Sequence, residues 1–205
     1  QTHAWLDELG LPWFSGWASP DPAYDFEIRG ERYRLIGYHE FKPDFDRLLE
    51  VIAEGEAEGR FVIVFPHWGP EYQYTPSTNQ RYMARRMVEA GADLIVGAHP
   101  HVAQGIELIE GVPVVYSLGN FVFDQRIPVT WDAFSLGVIR KEEEIMLYFL
   151  PLGTNQSQPI PYGGADADRV LEIIADASPG ELRADILQSK LIIPYVSEEK
   201  TNSTF

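Results

Sequence analysis

Three of the five histidines of this 205-residue chain stand in two short segments, Pro66-His67-Trp68-Gly69-Pro70-Glu71-Tyr72 and Gly97-Ala98-His99-Pro100-His101-Val102. Imidazole is a ligand for zinc, iron, copper and nickel, whereas manganese asks for more oxygen donors. Pro100 restricts the pair that flanks it. A residue before proline is pushed toward extended geometry, and positions i and i+2 of an extended segment face one side, roughly 6–7 Å apart at Cβ. Two such rings could grip one ion or reach two adjacent ions, which bimetallic hydrolases hold about 3.5–4 Å apart. Glu71, four residues after His67, could act as a ligand, a general base or a solvated carboxylate. Asn120, in Ser117-Leu118-Gly119-Asn120-Phe121-Val122-Phe123-Asp124, could orient a ligating histidine or a substrate by hydrogen bonding, as could Asp124. Its alternative is to satisfy the backbone of a glycine turn.

The other residues of interest read more plainly. Phe121 and Phe123 are expected in the core. His3 and His39 lack comparable context and are expected to be structural or surface residues. Ser117 has no nucleophile elbow around it, and the chain holds neither a P-loop nor a dinucleotide fingerprint.

The histidines need elements to carry them. Residues 61–65 and 94–96 are continuous apolar runs of the kind found in strands buried on both faces. A helix predicted over residues 79–90 would link them as a right-handed crossover, so parallel neighbours would aim His67 and His99 at one sheet edge. A hairpin is predicted from residues 25–29 and 32–36, and a helix over residues 43–58. Residues 112–116 read as a buried strand, and residues 134–140 with 145–150 as an antiparallel pair. Residues 11–14 are expected to form a short strand, and residues 159–164 a loop. Helices are expected over residues 2–9, 166–177 and 181–189. Alternating helices and buried strands give an α/β layered core, and the hairpins make its sheets mixed.

Composition narrows the function classes. A net charge of −15 argues against nucleic-acid binding, which needs a basic surface. It leaves room for an anionic substrate, because a metal reverses the local field. The chain has no cysteine, hence no disulfide, no thiolate ligand and no cysteine nucleophile. No run is long enough for a membrane helix. Gln1 is not an initiator, and residues 2–9 read as the end of a helix, so an N-terminal portion is expected to be missing. The polar tail over residues 198–205 is expected to be disordered, leaving residues 1–197 as one incomplete domain.

The stretch from Val62 to Asp124 closely resembles the capsule-biosynthesis CapA family associated with poly-gamma-glutamate synthesis. The resemblance rests on His67-Trp68-Gly69-Pro70-Glu71-Tyr72, on residues 90–102 and on Tyr116-Ser117-Leu118-Gly119-Asn120-Phe121-Val122-Phe123-Asp124. That family is similar to calcineurin-like metallophosphoesterases. The resemblance implies a sandwich of two mixed sheets flanked by helices, with two divalent ions (manganese, iron or zinc). His67 would match the isolated histidine ligand, and His99 with His101 the histidine pair. The Asp, Gly-Asp and Asn-His ligands of such a centre belong to a preceding segment, which would be this chain's partner. The implied activity is metal-dependent hydrolysis of a phosphoester or a polyglutamyl amide, at the cell envelope or outside the cytoplasm. The rival is a non-catalytic component of an envelope polymer synthesis or export complex, and a third reading is a structural domain with incidental histidines.

Overall fold

In the computed structural model, residues 2–11, 13–14, 22–41, 44–155 and 157–195 are described. The elements run α1 (Thr2–Glu8), β1 (Ala23–Ile28), β2 (Glu31–His39), α2 (Phe45–Ala57), β3 (Phe61–His67), α3 (Thr78–Glu89), β4 (Leu94–Val96), β5 (Ile106–Ile109) and β6 (Val112–Val115). They continue with β7 (Asp132–Arg140), β8 (Glu144–Asn155), β9 (Gln158–Pro161), α4 (Ala165–Asp176), α5 (Arg183–Leu187) and β10 (Lys190–Pro194). The result is an α/β arrangement of two mixed sheets with helices.

The first sheet has the order β1-β2-β3-β4-β6-β5. Its four central strands are parallel, and the edge strands β1 and β5 are antiparallel to their neighbours. The second sheet has the order β10-β8-β7, with β9 also paired to β8. One face of the first sheet packs on α2 and α3 through Ile36, Val62, Val64 and Ile95 against Leu48, Ile52, Met83 and Met87. The other face joins Phe134, Leu147 and Phe149 of the second sheet, together with Val170 and Ile174 of α4, in a separate buried cluster. The apolar runs of β3 and β4 read as continuous because both faces of the sheet are covered.

Local chemistry sets the element ends. The Asp44 side chain caps α2 by accepting from Arg47 N at 3.1 Å. Ser77 and Gln80 form a reciprocal capping box that starts α3. The β1–β2 hairpin closes on Arg29 and Gly30, both with positive φ, the mirror-image turn that matches strand twist. Arg34, buried under α2, is held across that hairpin by Asp25 at 2.8 Å. Its guanidinium in turn keeps the Asp25 carboxyl below the usual carboxylate range.

Several expectations need correction. Among the described residues of segment 11–14 there is no strand, because β1 already occupies the sheet edge beside β2. The loop expected over residues 159–164 begins as β9, which pairs with the far end of β8. The helix expected over residues 181–189 splits into a 3₁₀ turn, Gly180–Leu182, and the short α5. The tail over residues 198–205 lies outside the described residues.

Candidate metal centre

The parallel register brings the histidine loops together. His39 and His67 are paired residues at the ends of β2 and β3. A further bridge joins His67 to Ala98 beyond the end of β4. Trp68 N donates to Ala98 O at 3.0 Å, Ala98 N to Pro66 O at 2.9 Å, and Tyr72 N to Pro100 O at 2.8 Å. The two loops are thus laced to each other. Beneath them Trp68, wholly buried, stacks on Tyr116 and donates its indole N–H to Tyr116 O at 2.9 Å. Gly97 makes this possible, since a Cβ there would lie 2.0 Å from Tyr116 O and 2.4 Å from the indole nitrogen.

The rings form a continuous row. Centroids lie 4.6 Å apart for His39 and His67, 4.5 Å for His67 and His99, and 5.8 Å for His99 and His101. His67 Nε2 and His99 Nδ1 are 2.9 Å apart, so one nitrogen carries the proton that the other accepts. Asn120 Nδ2 donates to Gln125 Oε1 and Thr130 O, which leaves its Oδ1 as an acceptor. His101 Nδ1 lies 2.8 Å from that oxygen and is therefore the protonated ring nitrogen. The Nε2 lone pair of His101 is then free to face Glu71, whose Oε1 is 3.9 Å away. This arrangement, with a ring held from behind through its other nitrogen, is typical of metal-ligating histidines.

Burial, reinforced by neighbouring His99, His39 and His101, holds the His67 imidazole down to about 4. Burial and then His101 hold His99 below its ordinary value as well, against an opposing pull from Glu71. Both shifts favour the neutral ring, the state a metal requires. The donor atoms of Glu71, His99 and His101 all lie within 4.8 Å of one another. Among the described residues they are the only such group of three or more histidine and acidic donors. Two donors on one ion, each at about 2.0–2.2 Å, sit no more than about 4.4 Å apart, so a shift of a few tenths of an ångström closes the set. These two imidazoles and one carboxylate fit a single zinc-like ion, and His67 joins the group through its bond to His99. A second ion would want bridging carboxylates beyond this set.

The structure brings together His67, Glu71, His99, His101 and Asn120, and it corrects three other readings. His39, expected as a structural or surface residue, stands in the row itself, since the β2–β3 register stacks it on His67. Phe121 and Phe123 are exposed rather than core, because the segment after Asn120 leaves the sheet. Phe123 lies against His101 at 5.1 Å, while Phe41 meets His99 edge-on at 4.7 Å. His99 and His101 are not extended. Both have positive φ, 101° and 61°, because the hydrogen bonds at Ala98 and Pro100 oppose the local preference set by the proline. Positive φ in a non-glycine residue is costly and gathers at functional sites. Ser117 is fully buried with its hydroxyl accepting from Gly119 N, a turn contact with no nucleophilic character. The His3 side chain lies outside the described residues.

A 570 Å³ cleft lies at the opposite, amino-terminal end of the same strands, lined by Phe61, Asp93, Arg140 and Tyr195. It contains none of the site residues. There the Arg140 guanidinium packs over the rings of Phe61 and Tyr195 at 5.1 and 5.2 Å.

Comparison with known proteins bears on this geometry. The sequence model of the family described as bacterial capsule synthesis protein PGA_cap matches residues 18–125. The PGA biosynthesis protein CapA of Bacillus subtilis (strain 168) is 35% identical over 156 residues, covering 76% of this chain and 36% of that protein. The capsule biosynthesis protein CapA of Bacillus anthracis is 40% identical over 164 residues, covering 75% of this chain and 40% of that protein. The chain therefore spans about two fifths of the length of these relatives. Among solved structures, a phosphatase from Mycoplasma pneumoniae aligns with a TM-score of 0.40 at 12% identity, over 68% of this chain and 54% of that one. A likeness of that size leaves the fold assignment to the strands and helices themselves.

Proposed function

The chain belongs to the bacterial capsule synthesis protein PGA_cap family, and on that premise we propose that it is the histidine-bearing part of a metal-dependent hydrolase. The reaction class is attack of water on a phosphoester or a polyglutamyl amide in capsule or poly-gamma-glutamate metabolism at the cell envelope. The observation that carries this reading is the convergence of His67, Glu71, His99 and His101 at one strand end, with His101 oriented by Asn120.

His99, His101 and Glu71 would hold a divalent ion, with His67 a further ligand once its bond to His99 is exchanged for the metal; the ion's chemistry is Lewis acidity toward a phosphoryl or carbonyl oxygen and a lowered pKa for water. Asn120 keeps the proton of His101 on Nδ1, so that Nε2 faces the site. Glu71 is exposed enough to accept a proton from an incoming water as well as to ligate. Phe41 and Phe123 flank the row of imidazoles as exposed rings beside His99 and His101. The donors of this chain suit one ion. Donors for a second would come from a segment that precedes this region in longer family members, which is the partner we assign to it.

A second reading is favoured by the names of the relatives, which speak of biosynthesis. On that reading the domain is a non-catalytic part of an envelope polymer machine. The two are separated by metal titration followed by turnover on a panel of phosphodiesters and γ-glutamyl peptides. Hydrolysis that needs metal and falls by at least about a hundredfold in His101→Ala supports the enzyme, as expected for loss of a catalytic electrostatic group. Metal-independent polymer or partner binding that is unchanged in His101→Ala, with no turnover, supports the second reading.

A further inference from the structure

We infer that Glu40 and Gln104 are positioning residues, which tie the His67–Glu71 loop from both ends to the rest of the site and set its donors before any cation arrives. The inference rests on the metal reading above and deepens it.

Glu40 follows His39 at the end of β2. Its Oε2 accepts from Gly69 N at 2.6 Å and its Oε1 accepts from Asn79 Nδ2 at 2.7 Å. One carboxylate thus joins β2, the midpoint between His67 and Glu71, and the first turn of α3. Backbone adds to it, since Glu40 N donates to His67 O at 3.1 Å. Gly69 has a φ of 84° and lies directly on the Gln80 amide, where an added Cβ would be 2.4 Å from Gln80 Cδ.

The other end of the loop is held from inside. Gln80 and Gln104 are both fully buried. Gln80 Nε2 donates to Gln104 Oε1 at 2.9 Å, and Gln104 Nε2 donates to Gln73 O at 2.7 Å, two residues beyond Glu71. Gln104 is itself three residues past His101, and its backbone N–H donates to Ser117 O at 3.0 Å. Gln80 Oε1 accepts from Ser77 N at 2.9 Å, which fixes the orientation of its amide. Two fully buried amides are expensive unless each is hydrogen-bonded. Here they bond to the loops that carry the ligands. The loop is pinned at Gly69 by a carboxylate and at Gln73 by an amide, with Glu71 midway.

The test is Co²⁺ titration of the 205-residue chain by visible absorption, with amide exchange of the metal-free protein recorded alongside. Outer partners of a metal site typically cost 10–100-fold in affinity when lost, so Glu40→Ala is expected to bind Co²⁺ at least about tenfold more weakly. Its Gly69 amide should exchange faster. Glu40→Gln keeps an acceptor for Gly69 N, and the exposed Asn79 amide can turn to accept from the new NH2, so this variant should stay within about threefold of the parent. Equal binding by Glu40→Ala and the parent would overturn the inference. So would Glu40→Gln binding as weakly as Glu40→Ala, because Glu40 would then act as a distant charge rather than a tether. Gln104→Leu should also weaken Co²⁺ binding by about tenfold. If it lowers only the unfolding midpoint, Gln104 is a packing residue and its half of the inference falls. If the parent takes up no Co²⁺, the metal reading fails. The tether is then judged by Gly69 exchange alone, and unchanged exchange in Glu40→Ala rejects it.

Discussion

His67 sits among three other imidazoles and is held neutral by burial and by their proximity. In the metal-free protein this has a consequence for stability. The unfolded chain takes up a proton at residue 67 near 6.5, while the folded chain does so only near 4. Between those values the unfolded state binds more protons, so stability falls as pH falls through that window. His99 is displaced in the same direction and adds to the slope. Urea midpoints at pH 7, 6, 5 and 4.5 should decline, and His67→Asn should flatten the decline. A midpoint independent of pH in the parent would show that the ring is not protected in the folded state. At this scale much was legible in the residues. His67, His99, His101, Glu71 and Asn120 are marked by type and spacing. His39 was not, because nothing in Tyr38-His39-Glu40 marks it, and only the strand register puts it beside His67.

At the scale of elements, β3 and β4 deliver their loops to one edge, and Gly97 lets the backbone after β4 pass over Tyr116. Gly97→Ala drives a methyl group into a carbonyl oxygen and an indole nitrogen that are hydrogen-bonded to each other. Overpacking of this kind typically costs 1–3 kcal/mol, so the expected loss is about that much in chemical denaturation, accompanied by weaker metal uptake as the His99 loop shifts. An unchanged midpoint would mean that the loop relaxes without cost. The parallel strands and their crossover helices were readable from apolar runs and helical spacing. Strand β5 was not, because it is short and carries an exposed Leu108 beside its buried residues. The geometry of His99 was misread for a related reason. The rule for residues before proline is local, and here tertiary hydrogen bonds at Ala98 and Pro100 decide the backbone.

For the whole molecule, the net charge of −15 favours cation capture over binding of anionic polymers without a bridging metal. No described helix is long and apolar enough to cross a membrane. The chain spans about two fifths of its curated relatives, and on the metal reading proposed above its candidate donors suit one ion. Elemental analysis after dialysis should therefore find one equivalent of zinc or less per chain. On the proposed reading, a longer family member should hold a second equivalent through donors outside this region. Two equivalents on this chain alone would show that its own donors suffice for both ions.

By itself the order of residues determined the family, the layered α/β character and the set of candidate donors, because motif spacing and apolar periodicity are local properties that survive without coordinates. Tertiary structure alone decided which rings touch, which nitrogen of His101 keeps its proton and which buried amides brace the loops. Those depend on strand register and on hydrogen bonds between segments far apart in the chain, and no local pattern of side chains encodes either one.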